Sequence, residues 1–225
     1  MTDEQNSFPV PGIIPIFPLP NVVLFPKVHL PLHIFEPRYR QMVIDAVAND
    51  RLIGMALLRG DWEKNYYGNP DIYPVGCLGR IVNATPFPDG RFNIVLYGLR
   101  EYDIQEHILD QTSYRQAKVR LRNEPGQIFS ASLKREILDL VQQTTGEKDA
   151  DLLEILTDPS LDQETWLNLC CFSLELSMLE KQSLLEAKSL EERATYLLNA
   201  LHFKVVEKTT PFENPQEPNA SKTPH

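Results

Sequence analysis

Residues 14–40 read Ile14-Pro-Ile-Phe-Pro-Leu-Pro-Asn-Val-Val-Leu-Phe-Pro-Lys-Val-His-Leu-Pro-Leu-His-Ile-Phe-Glu-Pro-Arg-Tyr-Arg40. Apolar residues are interleaved here with Pro15, Pro18, Pro20, Pro26 and Pro31. A proline has no backbone donor and a fixed φ, so helix is forbidden and any strand must be short, bulged or at an edge. Strands are predicted at Ile13–Phe17 and Val28–Ile34. Pro37 then stands at the first turn of a helix, where its missing N–H costs nothing. Tyr39, Met42, Val43, Ala46 and Val47 recur at helical spacing, which predicts a helix from Arg38 to about Ala48, stopping near Asn49–Asp50.

Downstream of this stretch the strand texture resumes. Leu52–Leu58, Cys77–Asn83, Phe92–Tyr97, Tyr102–His107 and Tyr114–Leu121 are predicted strands, and Pro88-Asp-Gly90 is the turn of a hairpin. Short strands at this spacing point to a closed or partly closed β structure with one inserted helix. After Glu124-Pro-Gly126 the pattern changes. Leu133, Ile137, Leu140 and Val141 form one apolar stripe. Leu167, Cys170, Cys171, Leu174 and Met178 form a second, and Leu190, Ala194, Leu197, Leu198, Leu201 and Val205 a third. Ser177-Met-Leu-Glu180 and Ser189-Leu-Glu-Glu192 both fit the capping box. The class is α+β: a loose tail at 1–12, a β-rich part at 13–125, a helical bundle at 126–207, and a Pro-rich, polar, disordered tail at 208–225.

Composition narrows the function. The chain has 225 residues, 42% of them hydrophobic, enough for a real core. No apolar run approaches the roughly 20 residues that span a bilayer, and the start, MTDEQNSF, lacks the basic and apolar regions of a secretory signal. Cys77, Cys170 and Cys171 are odd in number and without C-x-x-C spacing, which fits core thiols in a reducing cytoplasm. The net charge of −9 lies entirely beyond residue 122, the front part holding 13 basic and 13 acidic residues. Neither part has the basic excess that a phosphate backbone demands, so nucleic acid is not the expected partner.

Three segments resemble the N-terminal, substrate-binding domain of Lon proteases. They are the opening stretch with Leu30-Pro-Leu-His-Ile-Phe-Glu-Pro-Arg-Tyr-Arg40, then Gly79-Arg-Ile-Val82 with Pro88–Val95 and Gly98, and more weakly Glu180–Leu185 through Leu198. The likeness runs from about Ile13 to His202. It implies a PUA-like pseudo-barrel followed by a helical bundle, and a non-catalytic role in recognising exposed apolar segments of polypeptides, without cofactor. A phosphate-binding loop needs Lys after Gly, and none of the ten glycines precedes a lysine. No segment resembles a Ser–Lys protease domain. The expectation is therefore a stand-alone bacterial member, without ATPase or protease domains.

Candidate site residues follow. Asp61–Tyr73 places Trp62, Tyr66, Tyr67 and Tyr73 in a polar, turn-rich loop, and Phe87 and Phe92 flank the hairpin turn. Aromatic rings among polar neighbours bury much area with few rotors, which suits peptide recognition; the alternative is that they seal the barrel end. His33, Glu36, Arg38 and Arg40 are read as a structural motif at the strand-to-helix junction. His29 and His33 share a strand face, but Pro31 intervenes and no third ligand follows at a useful spacing, so no metal site is expected. Two other functions stay open at this point. One is an adaptor docking a partner through the acidic helical half. The other is a small-molecule or RNA-binding PUA-like protein, which would draw on Arg80, Arg91, Arg100, Arg115 or Arg120.

Overall fold

The computed structural model describes residues 11–108, 111–122, 128–144 and 150–209. Most of the expected N-terminal tail, the break at Glu124–Gly126 and residues 210–225 of the expected C-terminal tail lie outside the described residues.

Six strands form one mixed sheet: β1 (Ile13–Leu19), β2 (His29–Ile34), β3 (Leu52–Leu57), β4 (Val75–Pro86), β5 (Phe92–Ile108) and β6 (Gln116–Leu121). Helix α1 (Pro37–Ala48) is inserted between β2 and β3. The strand order is β2-β5-β4-β3-β1-β6, and β5 also pairs with β6. That extra pairing closes β5, β4, β3, β1 and β6 into a ring, which is the expected pseudo-barrel. Every pairing is antiparallel except β1 with β3, where Phe17 lies opposite Met55.

The two strands predicted at Phe92–Tyr97 and Tyr102–His107 are one strand. Its first part holds β2 and its second part β6, while β4 runs along both. What reads as a break is a bulge at Leu99, between the pairs Gly79–Gly98 and Leu78–Arg100. Gly98 is there because the loop before β2 crosses it: a Cβ would lie 2.0 Å from the Phe25 carbonyl oxygen. The Gly98 carbonyl accepts from Lys27 N at 2.7 Å, and Gly98 N donates to Val28 O at 2.9 Å.

Ile14, Ile16, Leu52, Ala56, Leu58, Leu78, Tyr102 and Ala117 fill the barrel interior. Tyr102 is its central plug, donating to Met55 O at 2.9 Å. Gly54 and Gly76 make room for that ring, since a Cβ on either would come within 2.8 Å of the Tyr102 hydroxyl. Strand β3 is buried on both faces, which is why it reads as a continuous apolar run. Its other face, with Ile53, Met55 and Leu57, joins a second core that extends through α1 into the helices.

Those helices are α2 (Ala131–Thr144), α3 (Ala150–Leu156), α4 (Gln163–Ser173), α5 (Met178–Glu186) and α6 (Leu190–Thr209). The capping box at Ser177 forms in both directions. At Ser189 only half forms: Ser189 Oγ accepts from Glu192 N at 3.1 Å, while Glu192 accepts from Lys188 N, one residue earlier than expected. Cys77, Cys170 and Cys171 are buried free thiols, and burial raises all three above the usual thiol range, Cys171 to about 12. That is the inert, core type of cysteine.

A buried polar cluster ties barrel to bundle. Arg193 of α6 pairs with Glu101 of β5, donates to Leu184 O at 2.9 Å and to Asn168 Oδ1 at 2.5 Å. Asn168 donates in turn to Pro26 O at 3.0 Å, and Gln182 of α5 to Val75 O at 3.0 Å. Burying a charge is costly unless it is paired and its remaining donors are satisfied, and Arg193 meets both conditions. Among the described residues no helix is long and apolar enough to cross a membrane.

Candidate recognition cleft

The motif at the strand-to-helix junction and the aromatic loop, 30 residues apart in sequence, meet in space. Tyr66 donates to Glu36 Oε1 at 2.5 Å. The other oxygen of that carboxylate accepts from Arg38 Nε at 3.1 Å. The Arg38 guanidinium lies 4.5 Å from the Tyr39 ring centroid and 5.1 Å from that of Tyr66, within cation–π range. The local backbone explains the arrangement. Pro37 starts α1 with Glu36 in extended geometry, so Glu36 and Arg38 project together from the first turn, and a 3-10 turn at Trp62–Asn65 brings the tyrosines over them.

Trp62, Tyr66 and Tyr67 form an edge-to-face ladder, with centroids 5.9 and 5.2 Å apart. Trp62 and Tyr66 pack against the barrel core, whereas Tyr67 is 89% exposed. Beneath the ladder is a cleft of about 190 Å³ whose lining includes Arg38, Tyr39, Tyr66, Tyr67, Tyr114 and Arg115. Arg115, the residue before β6, donates to Pro70 O at 2.7 Å. Tyr114 donates to Asp45 of α1 at 2.8 Å. Burial, reinforced by that carboxylate, pushes the Tyr114 phenol up to about 12. Burial also raises the Tyr39 phenol, so both remain protonated donors at neutral pH.

The remaining predicted residues sit elsewhere. Tyr73 turns away and packs against the larger core, its N–H donating to Leu57 O at 2.9 Å. Phe87 joins a separate cluster at the hairpin end. His33 meets it edge-on at 5.9 Å and has Nδ1 2.7 Å from Asn93 Oδ1, while Arg91 lies 5.7 Å from the Phe87 ring centroid. Arg40 reaches the same end, under Gly90, whose φ of +82° is the left-handed turn position. His29 lies against Tyr97 at 4.9 Å, and among the described residues no group of three metal-ligating side chains occurs.

Three cleft residues, Tyr39, Tyr114 and Arg115, are not assigned to it by the sequence. Tyr39 reads only as a core-facing helix residue and Tyr114 only as the start of a strand. Arg115 reads from the sequence only as part of a possible RNA track. Of the other arginines on that track, Arg91 and Arg120 pair with Asp89 and Asp103, and Arg80 and Arg100 have interactions of their own.

Residues 13–202 match the family model of the ATP-dependent protease La (LON) substrate-binding domain. The chain belongs to the LON substrate-binding domain family. It is 27% identical over 209 residues to a Lon protease of Flavobacterium johnsoniae, covering 90% of this chain and 25% of that protein. It is 29% identical over 199 residues to a Lon protease of Dictyoglomus thermophilum, covering 84% of this chain and 24% of that one. The chain thus spans about a quarter of the length of the curated relatives it matches. Among solved structures it is similar to a Lon N-terminal domain protein from Xanthomonas campestris, with a TM-score of 0.63 and 21% identity over 83% of this chain and 97% of that one. It is also similar to the N-terminal domain of Mycobacterium avium complex Lon protease, with a TM-score of 0.64 and 17% identity over 84% of this chain and 98% of that one. The pseudo-barrel with a helical bundle is therefore the LON substrate-binding fold.

Proposed function

We propose that this LON-family domain is a non-catalytic recognition module that binds exposed apolar segments of polypeptides, and that the cleft lined by Tyr66 and Tyr67, with Trp62 packed behind them, is where it grips them. The observation that carries the reading is the ladder itself. Two of its rings are held rigidly by the barrel and by Glu36, and the third, Tyr67, stands free at the rim. A pre-set aromatic surface loses little side-chain entropy when a partner covers it, which is what concentrates binding energy in a few residues.

The test is fluorescence anisotropy of a labelled, reduced and alkylated, unfolded globular protein titrated with the full chain. Tyr67→Ala is expected to weaken binding by about 1–2 kcal/mol, and a Trp62→Ala/Tyr66→Ala/Tyr67→Ala variant to weaken it further. Tyr67 is the cleaner probe, because its exposure leaves the fold untouched. No binding by the native chain, or equal binding by Tyr67→Ala and the triple variant, would sink the reading.

A further inference from the structure

Arg115 is placed oddly for a structural arginine. Its guanidinium is half-buried at the cleft wall, and its one hydrogen bond among the described residues is to the backbone oxygen of Pro70. A guanidinium carries five donors in a rigid fork that matches a carboxylate. Arg38, beside it, is already matched by Glu36 at 3.1 Å. Asp71 acts on Arg115 through its charge alone; its side chain is 79% exposed and lies 3.9 Å from Arg59. Burial lowers the Arg115 pKa from its ordinary value; Tyr39 and Asp71 oppose the shift, and the Arg38 charge adds to it. The group stays charged at neutral pH, so the cleft holds a partly dehydrated cation with no ion pair among the described residues.

We propose that the cleft takes a carboxylate-bearing residue of a bound polypeptide, with Arg115 as the principal cation and the Tyr39 hydroxyl and Arg38 beside it. This rests on the reading that polypeptides occupy the cleft. The size agrees: about 190 Å³ is below the 300–1,000 Å³ of typical small-molecule sites and suits one side chain or one chain terminus. The chain as a whole carries a net charge of −9, so its long-range field does not favour anions. Selection must come from the cleft, over contact distances that salt screens little.

A carboxylate can come from a C-terminus or from an Asp or Glu side chain, and two matched pairs separate these sources. The isotope-labelled full chain is titrated by NMR with N-acetyl-L-tyrosine against N-acetyl-L-tyrosinamide, and with N-acetyl-L-isoglutamine against N-acetyl-L-glutaminamide. At least one acid is expected to bind tenfold or more tighter than its amide and to shift the amides around Arg115. Arg115→Gln should bring that acid down to the level of its amide, and Arg115→Lys should fall between. Tyr39→Phe, which keeps the packing and removes one donor, should weaken the acid several-fold. Acids that bind no better than amides, an acid preference that survives Arg115→Gln, or inorganic phosphate binding tighter than either acid would each overturn the proposal. If unfolded protein binds while the acids show no preference, only the carboxylate assignment fails. If the acids are selected but unfolded protein does not bind, only the polypeptide reading fails.

Discussion

Arg193 and Asp162 show how differently two charged residues can act in this fold. Arg193 and Glu101 are both buried, at 3% and 4% exposure. Arg193→Met leaves the Glu101 carboxylate without its partner inside the protein, a change that typically costs about 3–5 kcal/mol. Adding Glu101→Met removes the stranded charge, so urea denaturation is expected to show the double variant more stable than Arg193→Met alone. If the second substitution only adds to the loss, the pair is not acting as a unit. Asp162 is instead a surface cap on α4. Partial burial tends to raise its carboxyl, but hydrogen bonds from Thr165 and Lys27 outweigh that and hold it at about 2, against an ordinary 3.8. A depressed folded pKa means stability that is present above pH 4 and lost as pH falls through 2. Asp162→Asn is therefore expected to be less stable than the native chain at neutral pH. That gap should close between pH 4 and 2 in acid unfolding followed by circular dichroism.

Helix starts were legible because their chemistry is local. Ser177 and Glu180 are three residues apart, and the box closes within one turn, Ser177 N donating to Glu180 at 2.7 Å. Ser177→Ala should lower stability by about 1 kcal/mol, and Ser177→Asp should retain most of it, by chemical denaturation. Ser189→Ala should cost a similar amount, since its hydroxyl makes the same contact with Glu192 N. Strand extents were harder to see. Gly98 looks like a break, and its role as the crossing point for Phe25–Pro26 depends on a segment more than 70 residues away. The capping pattern could not reveal that the Glu192 carboxylate settles on Lys188 N, because the incoming chain direction is set by where α5 ends.

For the whole molecule, the larger core is continuous from β3 through α1 to α4, α5 and α6. Ile53, Met55 and Leu57 would face water if the helices were removed, and Glu101 would lose Arg193. A chain cut to residues 11–122 is expected to show no cooperative thermal transition and rapid proteolysis, while the full chain melts as one unit; a sharp transition in the fragment would contradict this. The alternation, the prolines and the helical stripes of the sequence were enough by themselves for the α+β class, the inserted helix, the bundle and the family likeness, because each depends on neighbours within a few residues. The cleft is different. Tyr66 and Tyr67 read as recognition aromatics and Glu36 and Arg38 as a separate structural motif; Tyr73 and Phe87, read with the aromatics, lie elsewhere, while Tyr39, Tyr114 and Arg115 join the cleft. Only closure of the barrel, through β5 pairing with both β4 and β6, brings the start of β6 beside the first turn of α1. Propensity and periodicity act along the chain, whereas a half-buried cation beside a buried phenol is created by segments meeting across it.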